Sequence, residues 1–153
     1  RTSRRQRQMC IRDRYKSSSR NIFNIDSSVS YGGFFNGNKF SFYNELAFRR
    51  QPIFNTSLKF NFDSIKLPSP YSSKDIWLIS PKFEFTFSKK TFWTTYIQYS
   101  SQSEDLGINS RLQFRFAPLS DLYLVYNDNY YASNSILPRF RSINLKLTYW
   151  FNI

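Results

Sequence analysis

Few side chains in this sequence have the chemistry to act on a substrate. Histidine is absent and Cys10 is the single cysteine. Beyond Cys10 there is therefore no thiol nucleophile, no disulfide partner and no Cys/His ligand set for a metal. Carboxylates are sparse, and the adjacent pair Glu104-Asp105 supplies too few oxygens to hold Ca²⁺. Glu45, Lys82, Glu84, Arg111 and Arg115 are spaced charges in otherwise uncharged polar company, the pattern of residues that fill or line a polar interior. Arg49-Arg50 and Lys89-Lys90 suit lipid headgroups, and the aromatics Tyr71 and Tyr130-Tyr131 fall in expected loops. No catalytic, metal-binding or cofactor-binding set emerges, so the expectation is a protein that is not an enzyme and carries no cofactor.

The elements that position these residues come into view once the charge is divided along the chain. The net charge is +12, which invites a nucleic-acid reading. Residues 1–14 hold six arginines against Asp13, a local +5, and leave +7 for everything after them. The run from Arg4 to Arg14, Arg-Arg-Gln-Arg-Gln-Met-Cys-Ile-Arg-Asp-Arg, resembles the translation of a transposase sequencing adapter over eleven consecutive residues. On that resemblance residues 1–14 are a non-native, disordered tail, Cys10 belongs to it, and 15–153 is one domain truncated at its N-terminal side. With the tail set aside, no nucleic-acid partner is expected.

Aromatic residues make up 20% of the chain while mean hydropathy is -0.53. Large apolar side chains must then alternate with polar ones, as on strands with two unlike faces. No apolar run approaches the roughly 20 residues of a spanning helix. From about Asn21 the chain falls into eight alternating segments. The clearest places Trp77, Ile79, Pro81, Phe83, Phe85 and Phe87 on one side against Leu78, Ser80, Lys82, Glu84, Thr86 and Ser88. The last sets Ile143, Leu145, Leu147, Tyr149, Phe151 and Ile153 against Ser142, Asn144, Lys146, Thr148, Trp150 and Asn152. Short connections near Arg50–Ile53, Ser88–Thr91 and Ala117–Asp121 alternate with longer ones at Leu67–Lys74, Ser101–Leu106 and Ala132–Arg139, and Phe35-Asn36-Gly37-Asn38 reads as a tight Asn-Gly hairpin turn. The expected fold is all-β: an antiparallel up-and-down meander of about eight strands, an outer-membrane β-barrel or the C-terminal part of a larger one.

The alternative is a soluble lipocalin-like barrel with a hydrophobic ligand inside. Two observations weigh against it. The polar face is mostly Ser, Thr, Asn and Gln rather than the Lys and Glu of a soluble surface. The apolar face is also too bulky to fit inside eight strands, whereas lipid accommodates it. The outer-membrane reading makes lipid the partner and the bacterial outer membrane the location.

The ending, Lys146-Leu147-Thr148-Tyr149-Trp150-Phe151-Asn152-Ile153, resembles the C-terminal signal read by the barrel-assembly machinery. Lys146 and Phe151 match it, Tyr149 continues its alternation, Thr148 stands where the signal has glycine and Ile153 where it has an aromatic. Three further stretches, Phe92–Ser100, Leu106–Gln113 and Arg115–Asn127, resemble the C-terminal barrel of the Bacteroidota family catalogued as domain of unknown function 5916, over about Ser28–Ile153. That resemblance implies a membrane barrel serving an upstream family 9-like carbohydrate-binding domain, and through that domain a polysaccharide partner. It implies no catalytic residue in this chain.

Overall fold

The computed structural model describes residues 10–18, 20–132 and 136–151. Nine strands form one sheet in sequence order, every neighbouring pair antiparallel: β1 (Ile11–Lys16), β2 (Phe23–Phe34), β3 (Gly37–Arg50), β4 (Phe54–Lys66), β5 (Lys74–Thr86), β6 (Thr91–Ser100), β7 (Asp105–Ala117), β8 (Ser120–Ala132) and β9 (Ile136–Thr148). The all-β meander is as the two-residue periodicity requires, because shifting any strand by one position would exchange its faces. The sheet is open, with β1 and β9 at its edges.

The ninth strand corrects the expectation of a disordered tail. Residues 11–14 belong to β1, which pairs with β2 from Ile11↔Tyr31 to Lys16↔Asp26. Residues 1–9 lie outside the described part of the chain. The cause is the edge of β2: its unpaired N–H and C=O groups accept any extended segment, and Arg14 adds a bidentate bond to Asp26 at 2.7 and 3.0 Å. Resemblance to an adapter speaks to where the residues came from, and it does not stop them from pairing.

The connections also differ from expectation. Strands continue into several anticipated loops: β8 runs through Tyr130-Tyr131 to Ala132, and β9 starts at Ile136. One rim, called upper here, carries the connections 35–36, 67–73 and 101–104 and the ends of β8 and β9, while the lower rim carries 51–53, 87–90 and 118–119 and the ends of β1 and β2. Neither rim has consistently longer connections, so loop length does not distinguish them.

Two tight turns deserve a physical account. The first hairpin turns at Phe35-Asn36 with Phe34 opposite Gly37, one residue earlier than an Asn-Gly turn. Gly37 is used for closeness instead: a Cβ there would lie 2.0 Å from the carbonyl oxygen of Lys66. At the β7–β8 turn, Pro118 precedes Leu119, whose φ of 57° is the left-handed conformation that a type II turn asks of its third residue. Leu119 is 66% exposed, so little packing opposes a change. Leu119→Gly is expected to raise the unfolding free energy by about 0.5–1 kcal/mol, the relief of a left-handed non-glycine residue less the added chain entropy. Denaturant titration should give a higher midpoint at unchanged slope; an unaltered or lower midpoint would show that the Leu119 side chain holds the turn.

Candidate functional site

No apolar side chain is buried among the described residues; the buried residues are Gly32, Ser80, Ser120 and Asp128. The molecule therefore has no core in the usual sense, and its distinctive features are its two faces.

The polar face is concave. Ser28, Ser41, Asn61, Leu78 and Gln102 line a single cleft of about 390 Å³, which a flat sheet would not form. Along this trough the charges pair locally: Lys39 with Asp63 at 3.2 Å, Lys59 with Glu45 at 3.9 Å, Lys82 with Glu84 at 2.7 Å, Arg115 with Asp121 at 3.1 Å and Arg139 with Asp105 at 3.5 Å. Tyr43 donates to Glu45 at 2.6 Å. The five sequence candidates, Glu45, Lys82, Glu84, Arg111 and Arg115, all face the trough, but they are not one cluster. Glu84 is held by Lys82, Arg115 by Asp121, and Arg111 stands opposite Thr94 and Val125. Charge neutralisation is thus pairwise, and no continuous polar path is assembled from them. Asp105, half of the acidic pair considered for a cation, is engaged by Arg139, which also covers the Tyr131 ring at 5.0 Å.

The apolar face is convex, and its apolar residues form a belt oblique to the hydrogen-bond rows. One row runs Phe23–Phe48–Thr56–Phe83–Thr95–Ser110–Tyr126–Ile143 across β2 to β9. On β2 the belt lies above this row, from Phe23 to Tyr31. On β9 it lies below, from Ile143 to Phe151, with Tyr149 stacked 6.2 Å from Phe116 and 4.4 Å from Phe151. Polar residues mark its limits. Arg50 follows Phe48 at the lower edge of β3, Asp75 precedes Trp77 at the upper edge of β5, and Asp128 and Arg141 lie just above Tyr126 and Ile143. The belt thus slips by about eight residues over seven strand spacings, which at about 3.3 Å per residue and 4.8 Å per spacing is an angle of about 40°.

Several polar side chains within the belt have hydrogen-bond partners, while Asp128 Oδ1 at its upper edge has none. Asn44 donates to Ser27 at 2.5 Å, Thr56 to the Lys82 carbonyl at 3.0 Å and the Trp93 ring nitrogen to Ser110 at 2.8 Å, and Thr95 shares a bond with Ser110 at 3.0 Å. At the upper edge Asp128 receives Tyr126 and Tyr130 hydroxyls at 2.6 Å each and the Arg141 guanidinium at 2.9–3.0 Å. Sequence reasoning had no access to this cluster, since Asp128 and Arg141 meet only through the β8–β9 register, which slips between Asn129 and Tyr130.

The C-terminal signal residues divide between the faces: Lys146 and Thr148 sit in β9 on the polar side, while Tyr149 and Phe151 continue the apolar one. Ile153 lies outside the described residues. The Trp150 amide is tied to the hydroxyl of buried Ser120 at 3.1 Å, which fixes the end of the chain against the β7–β8 turn.

The Ser27–Asn44 pair offers a direct test of how dry the belt is. Ser27→Ala alone leaves the Asn44 amide without its partner and should cost about 1–3 kcal/mol. Adding Asn44→Leu should recover most of that loss in a double-mutant cycle. Additive losses would mean that water reaches the amide. Comparison with protein-family models, with curated proteins and with solved structures gives no match.

Proposed function

We propose that β2–β9 is the membrane-spanning wall of a bacterial outer-membrane β-barrel, serving as an anchor or scaffold rather than as an enzyme. The observation that carries this reading is the oblique belt. A bilayer boundary is flat, so on a tilted barrel wall the lipid-facing residues must slip steadily from strand to strand. The slip of about 40° matches the 35–45° strand tilt of membrane barrels. The belt covers nine positions on β2, β3, β4 and β9, such as Phe40–Phe48 and Phe54–Phe62, within the 9–11 residues that a tilted strand needs. Projected through a tilt of about 40°, its height is roughly 20–23 Å at about 3.3 Å per residue, close to the apolar band of about 25 Å on such barrels.

Two features lend further support. Asn44, Trp93 and Thr95 inside the belt bond serine hydroxyls on the same face, as a dry surface favours. The trough side carries paired charges and uncharged polar groups, the composition of a lumen. In a lipocalin-like protein the apolar set would instead face the concave side, where Ser, Asn, Lys and Glu stand here.

The strand β1 fits this wall poorly. It puts Asp13 opposite Val29 on the apolar face, in the middle of the belt. Being odd-numbered like β9, it also runs parallel to β9, and closing on it would make a parallel seam in a class of barrels built from even numbers of antiparallel strands. We read β1 as occupying the place of the native neighbour of β2, which must run antiparallel to it. Resemblance to the Bacteroidota barrel family, and of the chain's ending to an assembly signal, supports a barrel inserted by the assembly machinery and attached to an upstream carbohydrate-binding domain with polysaccharide as its ligand.

The row from Phe23 to Ile143 tests the reading by depth. In lipid vesicles, Phe83→Arg near the midplane should cost about 2–4 kcal/mol, and Phe23→Arg and Ile143→Arg at the two boundaries about 0–1 kcal/mol. Fluorophores at 23 and 143 should be quenched from opposite leaflets although both lie on one hydrogen-bonded row. Quenching of both from the same leaflet, or a flat energy profile along the row, would reject the membrane assignment.

A further inference from the structure

The two rims differ in charge in a way the wall itself does not require. On the lower rim, Arg20, Arg49, Arg50, Lys89 and Lys90 are all exposed, and its connections, 51–53, 87–90 and 118–119, contain no aspartate or glutamate. The nearest carboxylates on that half of the sheet are already engaged, Asp121 by Arg115 at 3.1 Å and Glu84 by Lys82 at 2.7 Å. Arg20, Arg49 and Arg50 border one cleft of about 480 Å³ together with Gln51 and Asn21. The upper rim is mixed: Lys66, Lys74 and Arg139 are balanced by Asp75, Glu104 and Asp105.

Position matters as much as sign. Arg50 lies on the convex face one same-face step below Phe48, at the lower limit of the apolar belt, and its row neighbour Phe54 is inside it. Lys89 and Lys90 follow Phe87, which lies just past the end of β5 and whose ring stacks on Trp93 at 6.4 Å. The cations therefore stand in a collar where hydrocarbon gives way to headgroups. We infer that this collar is a docking surface for anionic phospholipid headgroups, with the guanidinium and ammonium groups meeting lipid phosphates in the leaflet at the lower rim. The inference rests on the membrane reading above. Guanidinium pairs phosphate with two parallel hydrogen bonds, and basic groups near an anionic membrane surface are attracted within a Debye length of it. Because the upper rim lacks the excess, the collar also gives the barrel two unlike ends.

The experiment is refolding of the chain into vesicles of phosphatidylcholine alone or with phosphatidylglycerol, followed by tryptophan quenching with brominated phosphatidylglycerol or brominated phosphatidylcholine. Trp93 reports the lower half of the belt and Trp77 the upper, each read after replacing the other tryptophans with Phe. Brominated phosphatidylglycerol is expected to be enriched beside Trp93 but not Trp77, with refolding accelerated roughly tenfold by the anionic lipid at low salt and less at high salt. Combining Arg20→Gln, Arg50→Gln, Lys89→Gln and Lys90→Gln should abolish both effects while leaving insertion into phosphatidylcholine unchanged. Insertion with no enrichment beside Trp93, or enrichment that survives the four substitutions, overturns the collar and leaves the membrane wall standing. Failure to insert into either vesicle overturns both.

Discussion

The antiparallel ladder is the interaction on which everything else depends. With no apolar side chain buried among the described residues, the sheet cannot lean on a packed interior. Its order comes from backbone hydrogen bonds between consecutive strands and from the side-chain pairs that the register sets opposite one another. The ladder thus dictates the two surfaces: it fixes which side chains share a face and which neighbours they meet across the strands.

From the register follow the two surfaces. Aromatic neighbours meet across strands on the convex side, as Phe54 and Phe85 do at 4.6 Å and Trp77 and Tyr99 at 5.0 Å, geometries that favour aromatic pairs. Opposite charges meet on the concave side, where ion pairs are short and local. Each of these exposed pairs contributes little by itself. Their value lies in neutralising most of the carboxylates of the polar trough locally, while Arg111 stands opposite uncharged Thr94 and Val125. Pro81 interrupts the β5–β6 ladder, whose pairing skips from Ile79↔Tyr99 to Lys82↔Tyr96, because proline has no N–H to give. Ser80 beside it is 2% exposed with an unbonded hydroxyl.

The edge strand illustrates how undemanding the ladder is about sequence. β1 is held by backbone pairing and one Arg14–Asp26 contact, yet it carries Asp13 into an apolar surface. Backbone complementarity won over face complementarity because an open sheet edge is a strong attractor, while an exposed carboxylate costs nothing in water. In an apolar medium the balance would reverse, because a buried unpaired carboxylate is costly there.

Sequence alone determined the strand count from Asn21 onward, the composition of each face and the antiparallel order. Period-two alternation in segments such as Ile76–Ser88 has one geometric solution, and short connections leave consecutive strands little choice but to pair. It also determined that Glu45, Lys82, Glu84, Arg111 and Arg115 share the polar face. Tertiary structure decided which of those charges meet across strands, since Arg115 finds Asp121 and Glu45 finds Lys59 through the registers of β7–β8 and β3–β4, whereas Lys82 and Glu84 are same-face neighbours two residues apart. The register likewise brought Asp128 to Arg141 across a bulge and set the slant of the apolar belt. The slant belongs to no single strand: it is the sum of seven registers, each a difference between neighbours, and a one-dimensional pattern carries the face of a residue but not its height relative to the next strand.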